Sequence, residues 1–160
     1  MTYSDEQIIA LLRRSYMAVD GLWFVMAEQA DGFRHALDLD EQVWRVMPKI
    51  QARKAREVLC VTDNSLEGLA RCLGLKLACE GHAFEVLLED DRLELLLTHC
   101  TWHDVFVKSE RLHIAKDIAR NICVNEGAGW AAEFAAEFEF DLEASHCAGG
   151  EHCSFIFRKA

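Results

Sequence analysis

Cys123-Val-Asn-Glu-Gly-Ala-Gly-Trp-Ala-Ala-Glu-Phe-Ala-Ala-Glu-Phe138 runs directly into Glu139-Phe-Asp-Leu-Glu-Ala-Ser-His-Cys147-Ala-Gly-Gly-Glu-His-Cys153-Ser-Phe-Ile-Phe157. Phe138, Phe140, Leu142 and Ala144 alternate with acids, the period-two pattern of a strand with one buried face. Gly149-Gly150 turns the chain, and Cys153, Phe155 and Phe157 predict the return strand. Ahead of the hairpin a helix is predicted from about Glu126 to Glu137, with Trp130, Phe134 and Phe138 on one side and Cys123 at its start. One cysteine at a helix start and one on each side of a glycine turn has the layout of a metal clip.

Upstream, period two also governs Ala83 to His99. Phe84, Val86 and Leu88 alternate with Glu85 and Glu89, and Leu93, Leu95 and Leu97 with Glu94 and Thr98. This predicts a second hairpin with one face on a core. Ser109 to Ile122 returns to helical spacing through Leu112, Ile118 and Ile122.

The first half reads as helices. Ser4-Asp5-Glu6-Gln7 has the form of a capping box. Ile8, Leu12, Tyr16, Val19, Trp23 and Met26 then recur to about Ala30, with Gly32 as the stop. Gly21 to Met26 is apolar all round, which burial explains more often than a partner chain. Asp38 or Asp40 is the expected cap of a second helix through Val43, Trp44, Met47 and Ile50, kinked or restarted at Pro48. Asp63 or Ser65 opens a third, through Leu66, Leu69, Cys72 and Leu73, with Gly74 near its end. Cys72 and Cys79, among Leu and Ala, read as small core residues.

The sum is an α+β domain spanning 1–160. A helical half (1–80) precedes an α+β half (81–160), with the N-terminal helices packed on a four-stranded antiparallel sheet.

At 160 residues, with 51% hydrophobic and a single proline, the chain can bury a substantial core and does not read as disordered. A net charge of −10 argues against nucleic acid and anionic membrane surfaces, which need clustered Lys and Arg. The one basic run, Lys49 to Arg56, reads as a solvated helix face. The N-terminus lacks the charged, apolar and small-residue regions of a signal peptide, and no apolar run is long enough to span a bilayer. With seven cysteines the expectation is a protein of the reducing cytoplasm, whose cysteines bind metal, catalyse or lie buried.

Cys123, Cys147 and Cys153, joined by Cys100 at the end of the earlier hairpin, make a soft ligand set suited to zinc, with iron as the other metal considered. His103 and His146 are alternates for one thiolate. A site with three protein ligands would leave a position for an activated water. Cys100 with His103 and Asp104 is a separate candidate, a nucleophile with its base. Trp102, Trp130 and Phe134 are candidates to line a pocket for a ring-containing ligand. His35, His82 and His113 have no companions in the sequence. Glu126 and Glu143 lie near the cysteines, but nothing marks them as a catalytic pair.

Cys123-x3-Gly-x-Gly-Trp-Ala-Ala-Glu-Phe-Ala-Ala-Glu-Phe, followed by Cys147-Ala-Gly-Gly-Glu-His-Cys153-Ser-Phe, resembles the 4-vinyl-reductase-like domain, which includes aromatic-sensing input domains of bacterial transcription activators. It is also similar to small hydrolases of the 2-amino-thiazoline-carboxylate type, which carry cysteines at positions like Cys100 and Cys123. Val19-Asp-Gly-Leu-Trp-Phe and Asp40-Glu-Gln-Val-Trp resemble a group of bacterial and archaeal proteins of unknown function. The resemblance covers about residues 80 to 160 and, more weakly, the first half. It implies helices on an antiparallel sheet and a zinc held by three cysteines and a glutamate. The cysteines carry over to Cys123, Cys147 and Cys153, while Cys100, His146 and Glu143 are rivals for the fourth place.

The leading expectation is therefore a metal-stabilised domain that binds a small ring-containing molecule and pairs as a homodimer through its apolar helices. The alternatives are a hydrolase of a cyclic amide or amidine, acting through Cys100 or a metal-bound water, and a purely structural interaction module.

Overall fold

The computed structural model describes residues 1–159. Helices α1 (Asp5–Asp31), α2 (Phe33–Trp44), α3 (Met47–Leu59) and α4 (Leu66–Glu80) come first. Strands β1 (Ala83–Leu88) and β2 (Arg92–His99) follow, then α5 (Thr101–Lys108), α6 (Leu112–Ile118), a π-helical turn (Ala119–Cys123) and α7 (Val124–Phe134). The chain ends in β3 (Phe138–Ala144), a 3-10 turn (His146–Ala148) and β4 (Cys153–Lys159). The strands form one antiparallel sheet in the order β1-β2-β4-β3, as the α+β reading expects.

β4 lies in the interior of the sheet, and its residues Cys153 to Phe157 are all buried. Its register pairs Cys153 with Leu97, Phe155 with Leu95 and Phe157 with Leu93. Those residues share a core with Leu69, Leu73 and Leu77 of α4, Trp130 and Phe134 of α7, and Ala52 and Ala55 of α3. The helical half and the sheet half thus bury one another, and each large side chain fully withdrawn from water contributes ~1.5–3 kcal/mol.

Local chemistry explains the helix ends. The capping box forms: the Gln7 amide donates to Ser4 Oγ at 3.2 Å and the Ser4 amide to Gln7 Oε1 at 2.9 Å. Gly32, at φ 86°, ends α1 and starts α2, so Asp38 and Asp40 sit inside α2 rather than capping it. Pro48 occupies the first turn of α3, where its missing donor costs nothing, so it restarts the helix. Ser65 caps α4 through the Gly68 amide at 3.0 Å. That helix continues through Gly74 and stops at Gly81, φ 84°.

Other expectations need correction. The helix expected from Ser109 to Ile122 begins only at Leu112, as α6, and passes into the π turn; Glu110, at φ 58°, separates it from α5, which the sequence reading did not expect. α7 spans Val124–Phe134 instead of reaching Glu137, and no helix starts at Cys123, because the π turn passes straight into α7. Cys72 is buried but Cys79 is exposed. β1 is an edge strand with Val86 and Leu88 in solvent, since α4 covers only its start. Leu22, Trp23 and Met26 are also exposed, and Met17 is the one buried residue of the 27 in α1.

Candidate functional site

Sheet and helices enclose a cavity of about 380 Å³ whose lining is mainly apolar. Met17, Phe24, Phe106, Ile122 and Phe155 are among its walls. Cys100, Cys123, Cys147 and Cys153, the four cysteines singled out from the sequence, all line it. Each arrives on a different element. Cys100 follows β2, Cys123 closes the π turn, Cys147 sits in the 3-10 turn and Cys153 opens β4. The π turn matters because one extra residue in a helix re-aims the side chains after it.

The thiols act on one another. Cys100 and Cys153 face each other: that neighbour and burial push the Cys100 thiol up to about 12, while Cys100 draws Cys153 below its ordinary value against the upward pull of burial. Burial pushes Cys147 up to about 11, reinforced by Cys100, and Cys123 well above the usual thiol range, reinforced by Glu126 and the neighbouring cysteines. Cys100, Cys123 and Cys147 thus hold their protons more tightly than an ordinary thiol, and each must release its proton to ligate a cation. Among the described residues, no three His, Cys, Asp or Glu groups stand ready to hold a metal; ligation would require the thiols to close in. Their donor chemistry is that of a soft tetrahedral site.

Beside them runs a buried chain of charge that sequence reasoning missed. Lys76 of α4 pairs with Glu80 one turn on, at 2.9 Å, and with Glu126 of α7. Burial opposes ionisation of Glu80, but Lys76 and His82 outweigh it and hold that carboxyl below its ordinary range. Glu126 is raised by burial more than Lys76 lowers it. His82, which has no companion in the sequence, is the link to the thiols. Its Nε2 lies 3.0 Å from Glu80 Oε2, its Nδ1 accepts the Thr101 amide at 3.1 Å, and Cys100 lies beside the ring. The amide at Nδ1 assigns the proton of the neutral ring to Nε2, facing Glu80. Two spacings carried this signal. Cys123-x-x-Glu126 and Lys76-x3-Glu80 each put two polar groups on one helix face.

The remaining candidates distribute differently. Trp102 lines the cavity, whereas Trp130 and Phe134 lie in the core beneath the sheet, the ordinary fate of aromatic residues at helical spacing. His103 does not serve Cys100 as a base with Asp104. Its ring tilts against His146 with centroids 5.5 Å apart, while Asp104 pairs with His99 at 3.1 Å on the surface. His146 donates its backbone amide to Cys153 Sγ at 3.4 Å, and its Nε2 is buried without a partner. Glu143 points off the sheet to Arg158 at 2.8 Å, so it is removed from the thiols. Glu126 is the glutamate beside them.

The other wall of the cavity carries a second acidic pair. Asp20 of α1 and Asp40 of α2 both line it, with Trp44 beside them. Burial is the main cause that pushes Asp20 up to about 6 and Asp40 up to about 7; Glu80 adds to the first and Asp20 to the second.

Residues 2–149 match the model of a family of unknown function, DUF6125. The chain belongs to that family. The matched range includes Cys100, Cys123 and Cys147 and stops short of Cys153 and β4. No curated protein and no solved structure matches the chain. No helix among the described residues is long and apolar enough to cross a membrane.

Proposed function

We propose that the protein binds a small, ring-containing molecule in the 380 Å³ cavity, next to a zinc ion held by Cys100, Cys123, Cys147 and Cys153. The observation that carries this reading is the arrival of four thiols, from four separate elements, at one mainly apolar cavity. The volume lies in the range of small-molecule sites, and apolar walls with a few convergent polar groups are their usual make-up. A cation would reverse the upward pull on the thiols, because it stabilises each thiolate directly. Bound there, zinc would tie the end of β2, the start of β4 and the π turn together.

Elemental analysis of untagged protein, purified without added metal or chelator, tests the metal half. About one zinc per chain is expected, with loss of metal on Cys123→Ala or Cys147→Ala. Metal-free protein that fails to take up zinc on titration would sink it. The ligand half is tested by thermal shift with ring-bearing fragments, read beside the fluorescence of Trp102. Saturable shifts in the wild type that vanish on filling the cavity with Ala119→Phe support it; no shift with any fragment removes it.

A hydrolase is favoured by one observation, the series Cys100, His82, Glu80, which has the order of nucleophile, base and orienting acid. Two features oppose it: the thiol is pushed up to about 12, and a backbone amide occupies His82 Nδ1. Cys100→Ser separates the readings. A nucleophile would lose turnover of a cyclic amide with metal content intact, whereas a ligand would lose metal and stability together.

A further inference from the structure

α1 presents a second feature, independent of the cavity chemistry. Its inner side is occupied by Met17 and by Arg13, whose guanidinium donates to the Ala78 and Cys79 carbonyls at 2.9 and 2.7 Å. Its outer side is apolar for nearly the whole helix. Ile8, Leu12, Val19, Leu22, Trp23 and Met26 are all exposed, Leu22 at 60% and Trp23 at 73%. With Ser15 between Leu12 and Val19, the positions 8, 12, 15, 19, 22 and 26 alternate by four and three, the spacing by which one helix packs along another, and Leu11 and Trp23 flank that line. A single surface helix of a monomer ordinarily puts its apolar stripe inward; here an apolar stripe faces out.

We propose that this stripe is the interface of a homodimer in which two α1 helices pack antiparallel, with the two-fold axis at Met17. The sequence of the stripe is its own mirror about that residue. An antiparallel partner sets Ile8 against Met26, Leu11 against Trp23, Leu12 against Leu22 and Ser15 against Val19. Every large apolar side chain meets an apolar or small one, the self-complementarity an isologous contact requires. The area is also sufficient. Leu22 lines the cavity as well, and Val19 and Trp23 border an open groove between α1 and α2 whose other side includes Val43 and Val46. A helix laid on the stripe therefore touches both rims. The exposed apolar side chains of α1 and α2 together offer on the order of 800 Å² per partner, about what a stable interface buries. With a net charge of −10 on each chain, self-repulsion opposes association, so added salt strengthens it.

Sedimentation velocity on the full chain across the micromolar range reads the outcome. The wild type is expected at the mass of two chains, with the dimer fraction rising from low to moderate salt. Leu22→Glu is expected at the mass of one chain with an unchanged circular dichroism spectrum, since Leu22 is exposed. The geometry has its own test, in a background where exposed Cys60 and Cys79 are serine. Ser15→Cys combined with Val19→Cys should form an interchain disulfide under mild oxidant, while neither single change does. A wild-type monomer at all concentrations overturns the proposal and leaves the stripe to a different chain. A dimer that survives Leu22→Glu, or that cross-links through Ser15→Cys alone, overturns the antiparallel seam.

Discussion

On the sheet side of the cavity, Leu97, Cys100, Cys153 and Phe155 stand on β2 and β4 or at their ends, and α4 and α7 press Lys76 and Glu126 against them. On the helix side, Asp20, Leu22 and Asp40 stand on α1 and α2, and α1 has one buried residue. The first wall is fixed from behind by the protein's main core; the second is backed largely by solvent. On the sheet side the buried carboxylates of Glu80 and Glu126 share the one cation of Lys76. On the helix side burial is only deep enough to raise two carboxyls toward neutrality. A rigid wall suits groups that must hold fixed positions around an ion. A thinly backed wall can shift to admit a ligand, unless a second chain covers it.

Lys76→Met should separate the walls most sharply. It leaves Glu80 and Glu126 buried without their cation, and breaking a buried pair from one side costs ~3–5 kcal/mol. Urea denaturation should record that loss; a change below ~1 kcal/mol would mean that water reaches these carboxylates and the wall is not sealed. Gly127→Ala follows. A methyl at Gly127 would meet the Phe140 ring, which is held against Phe155 and Phe157 at centroid distances of 5.6 and 5.0 Å. Overpacking of this kind costs ~1–3 kcal/mol. Phe140→Leu in the same chain should restore part of it, and strict additivity of the two changes would refute the contact.

The helix side should answer with the opposite sign. Asp20 and Asp40 have folded-state values of about 6 and about 7, above the ordinary 3.8. The folded protein therefore binds protons more tightly than the unfolded chain. Their contribution to stability is fullest at acid pH and falls as pH rises from about 4 through 7. Asp40→Asn removes the group with the larger shift, so its thermal midpoint should exceed that of the wild type at pH 8 and match it near pH 4. Glu80 and Trp44 also face this pair, so Trp44→Phe provides the control for the neutral partner. An Asp40→Asn midpoint below the wild type at pH 8 would show that the ionised carboxyl is stabilising.

How far each wall was legible follows from how local its determinants are. The β3–β4 hairpin was readable because Phe138, Phe140 and Leu142 alternate with acids within a few residues, and the capping box because Ser4 and Gln7 are three apart. Cys100, Cys123, Cys147 and Cys153 all line the cavity, and the nearness of Cys147 to Cys153 was the local part of that, because a hairpin brings its strand ends together. The Lys76–Glu126 pair was not legible, since its members lie fifty positions apart on separate helices and nothing local marks either as buried. His82 was missed for the same reason: its partners come from α4, from Cys100 and from the amide that opens α5. Trp130 and Phe134 were misassigned to the cavity because periodicity gives the face of a helix but not what lies opposite it.

The smallest effects test whether α1 is energetically apart from the core. Ser65 and Ser4 cap helices by the same interaction, a hydroxyl accepting an amide at 3.0 and 3.2 Å. Removing such a cap typically costs ~1 kcal/mol. α4 belongs to the core, so Ser65→Ala should lower global stability by about that amount. The first turn of α1 is exposed, so its opening need not open the rest. Ser4→Ala should then leave the denaturation midpoint almost unchanged and speed hydrogen exchange only at the amides of the first turns. If the α1 seam pairs two chains, that fraying is suppressed where Ile8 meets Met26 of the partner, and the exchange rates of those amides should fall as protein concentration rises. Equal losses of global stability from Ser4→Ala and Ser65→Ala would instead make α1 part of the core's cooperative unit, and the contrast between the two walls would fail.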